Sequence, residues 1–332
     1  MTETFNAFIV NKTEESFTTS IQRITMDDLP EGEVTIRVAY SCINFKDGLA
    51  SIPNGRIVQS YPFIPGIDLS GTVVASQTPR FVVGEKVIVT SYGLGVSHYG
   101  GYCEYARVPA DWVVPLPKGL TLKEAMAFGT AGFTAALSIQ RLQENGLTPE
   151  SGPVLVTGAT GGVGSLAVSI LSKLNYYVVA STGKESEHDY LQSLGASEII
   201  SRHEVAPEGV RTLEKERWAG AIDPVGGNTL ASILSHTKYN GSVAVSGLTG
   251  GNKVNTTVFP FILRGINLLG IDSVLCPMET RKDIWNKMAN EWKPATLLNK
   301  IGREITLNQL SEELNNILIG ELKGRTIVKV EQ

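Results

Sequence analysis

The sequence predicts an α/β chain in which a doubly wound parallel sheet is joined to a second, mostly β unit that forms a partly open barrel. Three observations predict it. Residues 154–157 are apolar or β-branched, a glycine-dense turn follows, and residues 166–174 begin an amphipathic helix. Strand, glycine turn and helix in that order open a nucleotide-binding βαβ unit. Downstream, short apolar runs alternate with helical periodicity as far as residue 271, the pattern of a parallel sheet with crossover helices. Upstream, residues 1–120 carry short β-rich runs separated by turn signals, the pattern of a small barrel.

Length and composition set the bounds. A chain of 332 residues is too long for one ordinary core, so two domains are expected. The chain is 42% hydrophobic and 19% charged, as in soluble globular proteins. A net charge of −4 offers no basic footprint for nucleic acid. Cys42, Cys103 and Cys276 are odd in number and widely spaced, which fits neither a disulfide framework nor a metal pair and suits a reducing cytoplasm. The N-terminus, Met1-Thr2-Glu3-Thr4, lacks the charged and apolar regions of a signal peptide. The longest apolar stretch, residues 128–139, is too short to span a membrane and is interrupted by Gly129 and Gly132.

Taken in order, strands are expected at residues 7–10, 34–38, 71–75, 86–90, 100–108 and 112–114, with Leu29-Pro30-Glu31-Gly32 and Gly84-Glu85 as turns between them. The period then changes to helical at residues 122–128 and 133–142. After the glycine turn come a second strand at 176–181, a helix at 184–194 closing on Gly195, and a third strand around Ile199 and Ile200. Strands at 218–223, 241–247 and 266–271 and a helix at 226–236 complete the alternation. The tail reads as helices at 279–292 and 307–319 and a last strand at 326–330 that rejoins the first unit. These runs divide the chain into a discontinuous domain, 1–125 with 273–332, and a nucleotide-binding domain, 126–272.

The glycine turn reads Ala159-x-Gly161-x-x-Gly164, with Thr160 inside it: the dinucleotide fingerprint with alanine for its first glycine. Gly161 lets the backbone approach a pyrophosphate, Gly164 lets the helix lie close on the strand, and the N–H groups at Gly162 and Val163 face phosphate oxygens. In an NAD site an acid at the end of the second strand accepts from the adenosine ribose. Here that strand ends Ser181-Thr182-Gly183-Lys184, with no acid until Glu185. Arg202 follows the third strand, and parallel strands end on one edge, so both cations and both hydroxyls suit the 2′-phosphate of NADP(H).

Four stretches carry a resemblance over essentially the whole chain: Pro65-Gly66-Ile67-Asp68-Leu69-Ser70-Gly71, Gly100-Gly101-Tyr102-Cys103-Glu104-Tyr105, Gly129-Thr130-Ala131-Gly132-Phe133-Thr134-Ala135 and the fingerprint. With them the chain resembles the medium-chain dehydrogenase/reductase superfamily. More specific matches, Ile43-Asn44-Phe45-Lys46-Asp47, Thr182-Gly183-Lys184-Glu185-Ser186, Trp218-Ala219-Gly220-Ala221-Ile222-Asp223 and Pro260-Phe261-Ile262-Leu263-Arg264, are similar to its acrylyl-CoA reductase branch, also labelled quinone oxidoreductase. The resemblance implies a GroES-like domain beside a Rossmann domain, and a homodimer pairing near residues 266–271. Zinc-dependent relatives have cysteine where this chain has Asn44 and histidine where it has Ile67. Ala127 and its neighbours supply no second cysteine, and only Cys103 lies where a structural zinc would need four. Without a Lewis acid, alcohol oxidation is disfavoured.

What remains is hydride addition to an activated C=C bond, most simply acryloyl-CoA to propanoyl-CoA, or quinone reduction in the same cleft. A non-catalytic NADPH-binding protein is the alternative from another class. The resemblance implies Asn44 and Asp47 as catalytic candidates. Asn44 would donate to a carbonyl oxygen or hold the nicotinamide amide, and Asp47 is equally a satisfied structural carboxylate. For the cofactor it implies Asn44, Phe45, Thr130, Thr134, the backbone at Gly247 and Leu248, and Arg325. Thr134 also reads as a core helix residue, and Arg325 as an interdomain ion pair. Lys46, Arg56 and Arg264 are candidate cations for the phosphates of a CoA thioester. His98, in a glycine-rich loop, is either a proton donor or a surface residue. No Gly-x-Ser-x-Gly elbow supports a hydrolase.

Overall fold

The computed structural model describes residues 4–209 and 211–330, which divide into two compact units. The first unit holds residues 1–130, 274–290 and 297–332, and the second holds 131–273 and 291–296. No helix among the described residues is long and apolar enough to cross a membrane.

In the first unit, β1 (Thr4–Lys12) and β2 (Phe17–Thr25) form an antiparallel hairpin. β2 was not expected, because its sequence FTTSIQRIT has too little apolar content to mark a strand and no residue of it is fully buried. Its apolar members, Phe17, Ile21 and Ile24, pack on the barrel core only through their pairing with β1. The barrel sheet is built from β3 (Val34–Cys42), β4 (Asp68–Ser76), β5 (Lys86–Thr90), β6 (Tyr105–Val108) and β7 (Val113–Pro115). β3 pairs with both β4 and β6, and β5 with β4 and β7, all antiparallel. Of the expected strand at 100–108, Gly100 and Gly101 instead hydrogen-bond into the Ile64–Gly66 turn, residues 102–104 bridge antiparallel to β1 through Phe8 N to Tyr102 O and Glu104 N to Asn6 O, and the ladder with β3 starts at Tyr105. The short helix α1 (Phe45–Ala50) leaves the end of β3.

The two helices expected at 122–128 and 133–142 are present as the two halves of α2 (Leu122–Glu144), which is broken at one residue, Gly129, with φ 53° and ψ −160°. Residues 130–132 belong to the helix, since Gly132 carries no penalty large enough to stop it.

The second unit is a six-stranded, wholly parallel sheet among the described residues. Its strands are β8 (Val154–Val156), β9 (Val178–Thr182), β10 (Glu198–Ser201), β11 (Trp218–Asp223), β12 (Thr237–Val245) and β13 (Asn267–Gly270), in the order β10-β9-β8-β11-β12-β13. The order reverses at β8, the switch point where open α/β sheets bind their ligands. The crossovers are α3 (Gly162–Lys173), α4 (His188–Ser193), α5 (Arg202–Val205), α6 (Gly227–His236) and α7 (Phe259–Arg264). Leu155, Val179, Ala221 and Val243 from four adjacent strands pack with Leu230, Ile233 and Leu234 of α6. Apolar runs buried on both faces are what made these strands legible.

The tail supplies α8 (Met278–Ala289), β14 (Gly302–Thr306), α9 (Leu310–Leu318) and β15 (Arg325–Lys329). β15 pairs antiparallel with β3 and parallel with β14, which closes the first unit's sheet from the far end of the chain. Ile305, Leu310, Leu314 and Val328 join Ile36, Val38, Leu69 and Val89 in one core.

Candidate active site and dinucleotide cradle

In the first unit, polar side chains converge beneath the end of β3. Asn44 caps α1 and Asp47 stands three residues on, so the Asp47 Oδ2 accepts from Asn44 N at 2.8 Å and Asn44 Nδ2 at 3.2 Å, while Oδ1 accepts from Ile67 N at 2.9 Å. A second carboxylate, Asp68 at the start of β4, is equally inaccessible to solvent. Its Oδ2 accepts from Asn44 Nδ2 at 2.8 Å, Thr130 N at 2.8 Å and the Cys42 thiol at 3.1 Å. Its Oδ1 accepts from Thr130 Oγ1 at 2.5 Å, and Thr130 Oγ1 lies 3.0 Å from Ser91 Oγ. Arg325, at the start of β15, donates to Ile43 O at 2.9 Å, Asn44 Oδ1 at 3.2 Å and Cys42 Sγ at 2.8 Å, and stands 3.9 Å from Asp68.

Two buried carboxylates thus stand close together, and the buried Arg325 guanidinium pairs with Asp68. Burial, and then the neighbouring negative Asp68, push Asp47 from 3.8 up to about 7, against the lowering effect of the Asn44 and Ile67 N–H groups. Burial also lifts the Cys42 thiol and the Tyr102 hydroxyl well above their ordinary values, and Tyr102 donates to the Cys42 carbonyl at 3.2 Å. The break in α2 is where this cluster meets the helix. A Cβ on Gly129 would come within 2.6 Å of Cys42 Sγ and 2.7 Å of both Arg325 Nη2 and Asp68 Oδ2, at a φ that L side chains rarely adopt.

The structure therefore uses Asn44 internally: its amide hydrogens go to Asp68 and Asp47 and its oxygen to Arg325. Arg325 has its partners within the first unit, so it is no interdomain ion pair. Phe45 is exposed on α1, and Thr134 is buried within α2. His98 is partly buried rather than a surface loop residue. It donates through Nε2 to Arg107 O at 2.7 Å and meets the Trp112 ring edge-on, and burial lowers its pKa. Asp68, Cys42 and Ser91 were not singled out by the sequence. Asp68 alone had a signal, as the one acid in the apolar run from Phe63 to Val74. Among the described residues no three His, Cys, Asp or Glu side chains are arranged to hold a metal ion.

In the second unit, Gly161 is the N-cap of α3, and no side chain caps it. The N–H groups at Gly162 and Val163 are left at the positive end of the helix. A Cβ on Gly164 would stand 2.3 Å from Gly158 O and 2.6 Å from Ala159 Cα, so glycine there sets how closely α3 lies on the turn with Thr160. A Cβ on Gly161 would meet only Gly158 O, at 3.4 Å, which leaves room before the turn for a pyrophosphate. Strands β9 and β10 are in parallel register with Ser201 opposite Thr182. That register brings Arg202 over the strand end: a Cβ on Gly183 would lie 2.7 Å from Arg202 Nε. Ser181 and Thr182 are buried, Lys184 is half-buried, and Arg202 is exposed with no ion pair among the described residues. At the end of β12, just before Gly247 and the exposed Leu248, the Ser246 hydroxyl is buried with no hydrogen-bond partner among the described residues. An open turn, two cations at adjacent strand ends and an unsatisfied hydroxyl fit a dinucleotide that carries a 2′-phosphate.

A fingerprint sheet beside a barrel of this kind defines a dinucleotide-dependent oxidoreductase. Residues 30–118 match the family model described as the alcohol dehydrogenase GroES-like domain, and residues 162–290 the one described as zinc-binding dehydrogenase. The chain is 56% identical over 99% of its length to YhfP of Bacillus subtilis, a protein with a quinone oxidoreductase name that it covers fully. It is 49% identical to the acrylyl-CoA reductase AcuI of Ruegeria pomeroyi, over 98% of this chain and 99% of that protein. YhfP crystallised with NAD superposes with a TM-score of 0.96 over 98% of this chain and 99% of that one. YhdH of Escherichia coli K-12 with bound NADPH, 45% identical, superposes at 0.95 over 98% of this chain and 100% of that one. The chain belongs to the medium-chain dehydrogenase/reductase superfamily, in its zinc-free branch.

The Asp47 carboxyl gives this site a pH signature. Its folded pKa of about 7 lies above the unfolded 3.8, so between those values the folded state holds the extra proton. The stability this contributes is complete below the unfolded value and is lost as pH rises through the folded one. Chemical denaturation of the wild type and of Asp47→Asn from about pH 4 to about pH 8 should show the wild type losing ground to the variant as pH rises. A stability difference that does not change with pH would count against the buried, shared charge.

Proposed function

We propose that the protein reduces the activated C=C bond of an enoyl thioester, most simply acryloyl-CoA to propanoyl-CoA, with NADPH as hydride donor and without a metal. The observation that carries the cofactor is the Arg202 guanidinium lying over Gly183 at a strand end that holds no acid. An acid there would repel a 2′-phosphate, and a guanidinium meets it with charge-assisted hydrogen bonds. The NADPH held by a 45% identical relative supports the same choice.

Bound NADPH supplies a hydride, and the residues around it bind, orient and protonate. Thr160, Gly161, Gly162 and Val163 hold the pyrophosphate, and Ser181, Thr182, Gly183, Lys184 and Arg202 hold the adenosine end. Ser246, Gly247, Leu248 and Thr134 line the nicotinamide. In the first unit Phe45 and Thr130 are the candidate cofactor contacts, and Asn44, Asp47 and Arg325 act as positioning residues. A conjugated carbonyl accepts the charge that a Lewis acid would otherwise have to stabilise. Lys46 on α1 and Arg56 just beyond it have no ion pair among the described residues, which suits CoA phosphates. Arg264 does not: it is spent on the Ser235, Thr237 and Glu214 carbonyls and on Glu216. Quinone reduction is the second reading, favoured by the name of the 56% identical relative.

A second copy of the chain is the partner we propose, joined along β13. That strand is an edge of the sheet and exposes Leu268, and the preceding helix α7 exposes Phe259, Ile262 and Leu263. The enzyme works in the cytoplasm, where its three buried thiols stay reduced.

Three measurements test these readings. NADPH absorbance should fall quickly with acryloyl-CoA and slowly with a small benzoquinone; the reverse would favour the quinone reading, and no oxidation with either acceptor would leave a binding protein. Arg202→Ala should raise the KM for NADPH about 10- to 100-fold with little effect on NADH, since one charge-assisted contact contributes about 1.5–3 kcal/mol. Equal effects on both cofactors would remove the 2′-phosphate assignment. Light scattering should give the mass of a dimer for the wild type and of a monomer for Leu268→Lys, and a wild-type monomer would sink the β13 interface.

A further inference from the structure

Two stretches of the dinucleotide cradle meet at one tyrosine of the second unit. Tyr190, the third residue of α4, is half-buried, and its hydroxyl donates to Ser165 Oγ at 3.0 Å. Ser165, which is fully buried in the first turn of α3, donates in turn to Ala159 O at 3.3 Å. Burial pushes the Tyr190 hydroxyl up to about 12, so at neutral pH it stays protonated and donating.

The direction of the Ser165 bond is informative. A serine inside a helix ordinarily bonds back to the carbonyl four residues earlier. Here that carbonyl, Gly161 O, accepts from Ser165 N at 2.9 Å, and the Ser165 hydroxyl reaches six residues back instead, out of α3 and into the glycine turn. Ala159 stands at the first glycine position of the fingerprint and is inaccessible to solvent, so its carbonyl needs a partner inside the protein. Its N–H donates to Ser181 O of β9 at 3.1 Å. Both backbone polar groups of Ala159 are thus held, one by β9 and the other by Ser165. Gly158 just before it takes the left-handed conformation, φ 52°, and Gly161 N closes the turn on Gly158 O at 3.0 Å. The Gly162 and Val163 N–H groups follow directly from that turn.

The other stretch arrives with α4. The chain leaves β9 through Gly183 and Lys184, turns as Glu187 N donates to Lys184 O at 3.1 Å, and enters α4. Farther along, Ser169 Oγ lies 3.4 Å from Leu194 O, and a Cβ on Gly195 would come within 2.1 Å of Ser172 Oγ. Ser165, Ser169 and Ser172 recur at helical spacing and share the face of α3 that receives α4. Of these contacts, that of Tyr190 is at the end of α3 that carries the turn.

We propose that Tyr190 is a positioning residue for the dinucleotide: through Ser165 it holds the turn from Ala159 to Val163 in the shape that receives the pyrophosphate. The proposal rests on the assignment of the pyrophosphate to that turn. It gives Tyr190 a role different from that of Arg202, which acts on the 2′-phosphate alone. Loss of the Tyr190 hydroxyl weakens every dinucleotide with the same pyrophosphate, whether or not it carries a 2′-phosphate.

The test is equilibrium binding of NADPH and of NADH, read from nicotinamide fluorescence well below the Tm of each variant and with no acceptor present. Tyr190→Phe should raise Kd for both by one common factor, about 3- to 10-fold, as for the loss of one neutral hydrogen bond. Ser165→Ala should reproduce that factor, and the double variant should bind no more weakly than either single one, because the two hydroxyls act as one strut. An unchanged Kd for both cofactors in Tyr190→Phe, with or without a lower Tm, would reduce Tyr190 to helix packing and overturn the proposal. A loss confined to NADPH would overturn it in favour of the 2′-phosphate end, and factors that multiply in the double variant would break the link through Ser165. Gly161→Val fills the space before the turn and should abolish binding of both cofactors. Binding that survives it would remove the pyrophosphate from the turn, a failure of the site assignment itself rather than of Tyr190.

Discussion

The burial of Asp68 beside Arg325 is the constraint on which the first unit is arranged. A carboxylate and a guanidinium shut away from water each forfeit hydration worth several kcal/mol, and their attraction at 3.9 Å offsets this only if the remaining polar atoms are also satisfied. Four donors converge on Asp68 for that reason: the Asn44 amide, the Thr130 N–H and hydroxyl, and the Cys42 thiol. They come from two places far apart in the chain, residues 42–44 and Thr130. The approach is close enough that α2 must pass without a side chain, and the break at Gly129 is the mark of that passage. Burial, and then the neighbouring Asp68 charge, push the Asp47 carboxyl up to about 7.

The second unit solves a different electrostatic problem with different means. Phosphate is a diffuse and already solvated anion, so neutral N–H groups at a helix end and cations left in water suffice to hold it. No buried charge is needed, and the cradle is made from residues at consecutive strand ends. Parallel pairing does the alignment: Ser201 opposite Thr182 sets Arg202 over Gly183 without any long-range packing of its own. The second unit's cradle is therefore encoded by residues close together in the chain, while the first unit's polar cluster is assembled from buried groups over distance.

This difference decides what could be read beforehand. The fingerprint, its flanking strand and the acid-free strand end were legible because each depends on neighbours within a few residues and on periods that sequence displays directly. The parallel strands were legible because burial on both faces makes them continuously apolar. The hairpin strand β2 was not, since its apolar residues are too sparse to signal a strand and become buried only through partners on β1. Gly100 and Gly101 looked like strand yet turn aside, because without side chains they can approach the Ile64–Gly66 carbonyls, while residues 102–104 pair with β1. Asn44, Asp47 and Arg325 were known as candidates only by resemblance, and nothing local announced that Asn44 faces inward.

By itself the sequence determined the two-part α/β architecture, the dinucleotide turn, the acid-free end of its second strand and the loss of the zinc ligands at Asn44 and Ile67. These follow from the chemistry of single residues and their near neighbours. Only the tertiary structure decided that Cys42, Asn44, Asp68, Ser91, Thr130 and Arg325 form one buried network, that His98 is committed to Arg107, and that Arg264 is spent on backbone carbonyls. The reason is physical. A hydrogen bond or an ion pair depends on distances of about 3 Å between groups well separated in the chain, Arg325 and Asn44 most of all, and chain closure through β15 and the break at Gly129 create those distances.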